Sequence, residues 1–217
     1  ELVRGPTSRR ALARIEQIRK SDFLIQVKNA AGQPAAGATI RVEQQRSAFQ
    51  FGSALQFARL VKDSPDNRIY REKVLKLFNA ASPENDLKWP VWEGEWQGPY
   101  NREQSLQALR WLRENGLHVR GHVLVWPGWK NLPKSIGALK DSKANQAKIP
   151  GLVLQHIADI TAATREYVQE WDVLNEPFDN HDLMALFGSD IMVDWFKAAR
   201  EGAAPGAPLY LNDYSNH

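Results

Sequence analysis

The sequence contains no cysteine, which excludes disulfides, thiolate metal sites and cysteine nucleophiles within these residues and leaves the redox compartment open. No apolar run approaches the roughly 20 residues that a membrane helix needs, so a membrane partner is not expected. The first residues carry Glu and Arg where a secretory leader would have its apolar stretch, although a start at Glu1 is compatible with a leader already removed. Zinc spacings, a phosphate loop and nucleic-acid recognition motifs are also missing. The His181-Asp182 pair has no convincing set of further ligands, so neither a metal nor another cofactor is expected.

What is present is an average globular composition over 217 residues, 43% hydrophobic, enough to bury a sizeable core. The pI of about 9.1 has a local origin. Residues 1 to 22 hold six Arg/Lys against three Asp/Glu, and the remainder balances at 22 against 22. Because that stretch also carries Ala11, Leu12, Ile15 and Ile18 at helical spacing, it reads as a docked amphipathic helix with a solvated basic face rather than a nucleic-acid site.

Alternating Phe23, Ile25 and Val27, then Ile40 and Val42, flank a Gly/Pro-containing turn, which predicts a β hairpin. Residues 1–47 are therefore expected to be an extension of one helix and one small hairpin. From residue 48 onward strands and helices alternate. FQFGSAL, NAASPEN, LHVRGHVLVW, VQEWDVLNE and PLYLNDYS read as strands, and helical stretches separate them, one ending at Gly116 as a cap. Such alternation predicts right-handed parallel βαβ units. Either an open doubly wound sheet or the first five units of a (β/α)8 TIM barrel fits that pattern. The strand ends favour the barrel: they finish in Glu84 and Asn85, Trp126, Asn175 and Glu176, and Asn212 to Tyr214, and a barrel gathers such ends on one rim. FGSALQF is also not the glycine-rich phosphate turn of a doubly wound sheet.

Within WDVLNEP, Pro177 cannot continue a ladder and pushes the preceding residue out of the helical region, so Glu176 is expected extended at a strand tip. A carboxylic acid there can protonate a glycosidic oxygen, and Asn175 can bond the neighbouring sugar hydroxyl. The same carboxylate could simply cap the next loop. In SPENDLKW, Glu84, Asn85 and Lys88 offer an acceptor, a mixed donor and a cation beside Trp89, or alternatively a capped turn with a solvated lysine. His122, Leu124 and Trp126 are expected on one side of their strand, so a site at Trp126 would have His122 beneath it; a core histidine is the other possibility. Tyr214 could stack on a sugar ring or pack on a loop. Eight tryptophans exceed ordinary usage and suit carbohydrate, although Trp111 and Trp195, on helices, read as core.

PENDLKW, RGHVLVW, WDVLNEP and LYLNDYS together resemble glycoside hydrolase family 10, the endo-1,4-β-xylanases, in order and separation over about residues 48 to 217. Residues 18–54 also look like a short β extension that precedes the barrel in one branch of that family. The resemblance implies retaining hydrolysis of xylan, with Glu176 as general acid/base and Asn175 on the sugar 2-hydroxyl. Glu84, Asn85 and Lys88 would hold the non-reducing side, His122 and Trp126 would line the cleavage subsite, and Tyr214 would stack on the leaving-group side. The implied partner is xylan or a xylo-oligosaccharide, which makes a secreted or periplasmic location the expectation. A β-glucanase or cellulase of the same clan and a non-catalytic carbohydrate-binding barrel are the alternatives.

Two departures accompany the resemblance. Pro127 follows Trp126 where the family commonly has histidine. The family's nucleophile, a second glutamate about 5 to 5.5 Å from the acid, is expected on a seventh strand, whereas the sequence ends soon after the fifth. The nucleophile is thus expected outside these residues, in a carboxyl-terminal barrel portion that is either covalent or separate, and these residues alone are expected to be inactive.

Overall fold

The computed structural model describes residues 9–98 and 100–214, and the chain divides into two units at Gln45/Arg46. In the first unit α1 spans Arg9–Arg19, with Leu12, Ile15 and Ile18 exposed. The expected hairpin is reduced to its tip. Asn29 Oδ1 accepts from the amides of Ala31 and Gln33, both at 3.0 Å, Gly32 takes φ +78°, and a single antiparallel bridge joins Lys28 to Pro34. No strand forms along 23–27 or 40–42, and Phe23, Ile25, Ile40 and Val42 are exposed. The side-chain chemistry of Asn29 closes a turn locally, whereas two strands without a third have no apolar face to bury and are marginal.

The second unit is a run of βα repeats. Its strands are β1 (Gly52–Leu55), β2 (Ala80–Pro83), β3 (His118–Val125), β4 (Glu170–Asn175) and β5 (Leu209–Asn212). The long helices between them are α3 (Pro65–Leu77), α5 (Arg102–Glu114), α8 (Ile149–Thr164) and α10 (Ile191–Gly202). Shorter helices occupy the connections: α2 (Phe57–Val61), α4 (Trp89–Trp92), α6 (Lys134–Gly137), α7 (Lys143–Gln146) and α9 (Asp182–Phe187). Only the long ones were legible as periodic patterns.

Local chemistry sets the ends of these helices. Ser64 Oγ accepts from the Asn67 amide at 3.1 Å, with Pro65 in the first turn of α3, and Asn101 Oδ1 accepts from the Gln104 amide at 2.8 Å at the start of α5. Gly116, φ +70°, closes α5 as expected. Its amide reaches the Arg113 carbonyl and the Leu117 amide reaches the Leu112 carbonyl, both at 2.9 Å, a Schellman-type end that needs a left-handed residue.

All four strand pairings are parallel, and the order in space is β1-β2-β3-β4-β5. A doubly wound sheet would reverse its order at a switch point. Sequential order with helices between successive strands is the arc of a (β/α)8 barrel, here its first five strands. Val119, Trp171 and Val173 are fully buried in the core, with α8 packed on β3 and α10 on β4. Close approach is built in at two glycines. A Cβ on Gly121 would lie 2.4 Å from the Trp171 ring, and one on Gly202 would lie 2.0 Å from Thr161 Oγ1 of α8.

Candidate functional site

Because the strands are parallel and sequential, their carboxyl ends share one rim, and the backbone ladder continues into it. The Glu84 amide donates to the Leu55 carbonyl at 3.0 Å, and the Glu176 amide donates to the Asn212 carbonyl at 2.7 Å. Glu84, Asn85, Trp126, Asn175, Glu176 and Tyr214 all follow or end these strands.

Lys88 draws three of these loops together. Its Nζ donates to Asn85 Oδ1 at 2.6 Å and stands 5.1 Å from the centre of the Trp126 ring. Burial pushes its pKa down, and the nearby negative charges of Glu84 and Glu176 push back. The charges of both carboxylates act on Lys88, so the loops after β2 and β4 face the same side of the rim. Asn85 is held in turn by the Tyr100 hydroxyl, 3.2 Å from its Nδ2.

Glu176 is half-buried, and its backbone departs from the expectation. Instead of extended, it is left-handed, with φ +49°. The Pro177 restriction gives way to a tight turn: the Glu176 amide stays tied to β5 while its carbonyl turns back to accept from the Asn180 amide at 3.0 Å. A non-glycine residue at positive φ costs energy, and such strain persists where the surroundings over-determine it. The Asn180 side chain, almost fully buried, donates to Glu176 Oε2 at 3.3 Å and accepts from Asn131 Nδ2 at 2.8 Å. The turn thus aims the carboxylate as well as the backbone. Asn175 is buried, its Oδ1 accepting from Asn212 Nδ2 at 2.7 Å.

His122 lies beneath Trp126, ring centres 6.5 Å apart. The strict alternation that would put Leu124 beside them breaks: the register shifts between His122 and Val125, the His122–Val123 peptide is cis, and Val123, Leu124 and Val125 are all buried. His122 Nδ1 is 2.8 Å from Asp172 Oδ2. Since a carboxylate only accepts, Nδ1 carries the proton and Nε2 is left for a further bond. Asp172 also accepts from Arg120, whose Nε is 2.9 Å away and whose Nη2 forms a shorter contact. Burial alone would raise the Asp172 pKa, but the hydrogen bonds from His122 and Arg120 outweigh it and hold the carboxyl below its ordinary value. Arg120 stacks 4.4 Å over the Tyr210 ring, and the Tyr210 hydroxyl donates to Glu170 Oε2 at 2.9 Å. A polar layer spanning β3, β4 and β5 therefore lies under the rim.

Tyr214 is exposed just beyond β5, and its amide bonds the Asp213 carboxylate at 2.8 Å. No contact among the described residues ties its ring to the Lys88 cluster. Sequence reasoning missed Asp172, Asn131 and Asn180. A lone carboxylate inside the apolar run WDVLN was a usable signal, because a buried acid requires a partner. Nothing in the sequence points to the asparagine pair. Lys88 and Trp126 also line a groove of about 760 Å³ with Trp96, Trp129 and Pro133, and Glu176 is not part of its wall.

Known proteins are similar to this chain in sequence and fold. Endo-1,4-beta-xylanase 1 of Arabidopsis thaliana is 28% identical over 199 residues, 92% of this chain and 20% of that protein. The endo-1,4-beta-xylanase of Caldicellulosiruptor owensensis superposes with a TM-score of 0.62 at 26% identity, covering 77% of this chain and 51% of that one. Xylanase 10B of Thermotoga petrophila RKU-1, solved with xylobiose, gives 0.59 at 26%, covering 76% and 49%. The chain thus spans about half of these solved structures and a fifth of the Arabidopsis protein. The profile of "Glycosyl hydrolase family 10" matches residues 41–217, the barrel arc and its rim included, and the chain belongs to that family.

Proposed function

We propose that this chain supplies the acid/base side of a retaining endo-1,4-β-xylanase. The observation that carries the reading is the convergence on Lys88, which feels both Glu84 and Glu176 while standing over Trp126. Hydrolysis of a β-linked sugar requires hydroxyl-binding groups, an aromatic face and a carboxyl acid around one bond, and the convergence supports that reading. Family membership and xylanase relatives support the same reaction.

In the first step the Glu176 carboxylic acid donates its proton to the leaving glycosidic oxygen as the sugar–oxygen bond breaks and a second glutamate, outside the residues present here, bonds to the sugar carbon. In the second, the Glu176 carboxylate takes a proton from water, whose oxygen displaces that glutamate. Asn180 steadies Glu176 Oε2. Asn175 is the candidate partner of the sugar 2-hydroxyl, Glu84, Asn85 and Lys88 hold the non-reducing side, and His122, oriented by Asp172, lies under the cleavage subsite with Trp126. Tyr214 is the candidate platform for the leaving sugar. These residues act with the remaining barrel portion and are inactive without it. No helix among the described residues is long and apolar enough to cross a membrane; a secreted or periplasmic location follows from a polymeric substrate that lies outside cells.

The test is Glu176→Gln in the intact protein, assayed on xylan and on cellulose. Loss of general-acid help costs about 10²- to 10⁴-fold, with folding preserved by circular dichroism. An unchanged rate on xylan removes the assignment. Parent activity on cellulose but not xylan selects a cellulase, and saccharide binding without release of reducing sugar selects a binding protein.

A further inference from the structure

The Trp126-lined groove carries more positive charge than the proposed reaction uses. Its wall includes Lys88, Lys130, Lys134 and Lys140 against a single carboxylate, Glu95. That carboxylate is already committed: its two oxygens accept from the Lys134 backbone amide at 2.9 and 2.8 Å, fixing the start of α6. Lys88 is likewise engaged with Asn85. Among the described residues, no carboxylate lies within ion-pair distance of Lys130, Lys134 or Lys140. These three side chains thus border the groove without an ion-pair partner among the described residues, while Trp96, 40% exposed, and Trp129 offer aromatic faces beside them.

The segment that builds this wall begins at Pro127, where the sequence leaves the pattern it otherwise resembles. The Pro127 carbonyl accepts from the Leu183 amide at 3.2 Å, and Asp182 Oδ2 accepts from the Trp129 amide at 2.8 Å. The loop after β3 is thereby fastened to α9, and Lys130 and Lys134 follow directly.

We propose that this groove selects xylan chains bearing uronic acid substituents, the tryptophans accepting sugar faces and Lys130, Lys134 and Lys140 receiving the carboxylate. The proposal rests on the xylan reading above and adds the charge of the preferred substrate. Neutral polysaccharide would leave the three ammonium groups with water alone. A carboxylate held among them gains from each, modestly, because they are solvated and screened.

The experiment measures calorimetric affinity of the intact protein, in the Glu176→Gln background that prevents hydrolysis, for two xylo-oligosaccharides of equal backbone length, one neutral and one carrying a glucuronic acid branch. The acidic ligand is expected to bind about three- to tenfold tighter at low ionic strength, with the ratio approaching one in high salt. Combined Lys130→Gln, Lys134→Gln and Lys140→Gln substitution should bring the ratio toward one at low salt. Equal affinities at low salt, or a preference that neither salt nor the substitutions reduce, overturn the proposal while leaving the xylan reading in place. Failure to bind even the neutral ligand sinks the xylan reading and this proposal with it. The salt series uses the protein with all three lysines, so a triple variant that does not fold still leaves a deciding result.

Discussion

On one face of β3 and β4 lie Val119, Trp171 and Val173, fully buried in the core under α8 and α10. On the other face of the same strands, one residue away along the chain, lie Arg120, His122, Glu170 and Asp172, each paired with a neighbour on another strand. The first face is non-directional, since apolar area is buried and any well-packed side chain of the right volume serves. The second is directional. Asp172 can orient His122 only while the register His122↔Asp172 holds, so the position of a candidate site residue depends on the pairing of two strands more than on either strand alone. The apolar core and the geometry of the candidate site thus lie on opposite sides of one sheet.

The strongest way to break that division is from the apolar side. Trp171→Ala empties the space against which Gly121 is packed and should cost about 3 to 5 kcal/mol, read as a lowered urea midpoint with little change in slope. If stability falls by less than about 1 kcal/mol, the outer face is not where the fold is secured.

Breaking the polar face should cost less stability and more function. Asp172→Ala leaves Arg120 unpaired and frees the His122 tautomer. Because the Arg120 side chain is 36% exposed, water recovers part of the loss, and about 1 to 3 kcal/mol is expected rather than the full penalty of a broken buried pair. The Asp172 carboxyl is held below its ordinary 3.8, so its contribution is complete above that pH and disappears as pH falls below it. The stability gap between parent and variant should therefore close in acid. A gap that does not narrow as pH falls below 3.8 would show that lost packing, rather than charge, is what the substitution removed.

How much of this was readable differs between the two faces for the same reason. Core-forming alternation and long helical periods are properties of single segments, so all five strands and the four long helices stood in the sequence at nearly their observed places. Motif ends were equally local: Glu84, Asn85, Trp126 and Glu176 fall just past the strands that were expected to present them. What depended on two segments was hidden. The tie of Asp172 to His122 spans 50 residues, and the turn that gives Glu176 its positive φ is fixed partly by Asn212 of β5. In the amino-terminal unit, the alternation of 23–27 and 40–42 was real but insufficient, since alternation becomes a strand only when a partner pays the entropy of extending it.

The comparison is sharpened by one ionisable group on the apolar side. His156 of α8 is nearly fully buried with its ring stacked 4.4 Å from that of Trp89, and burial pushes its pKa from 6.5 down to about 3. Unfolding lets it take a proton, so its effect on stability is neutral above pH 6.5 and becomes a growing penalty as pH falls from 6.5 toward 3. Asp86, buried beside the rim loop, has the opposite sign: burial raises it from 3.8 to about 6, so it weakens the fold as pH rises through that interval. Between pH 3.8 and 6 the two slopes, each at most about 1.4 kcal/mol per pH unit for one proton, oppose one another. His156→Phe, which keeps an aromatic ring against Trp89, should leave stability falling as pH rises across that window, and Asp86→Asn should leave it rising. Urea midpoints measured across the interval decide the matter: if His156→Phe changes the midpoint equally at every pH, the histidine is not being kept neutral by burial, and the apolar face holds no titrating group at all.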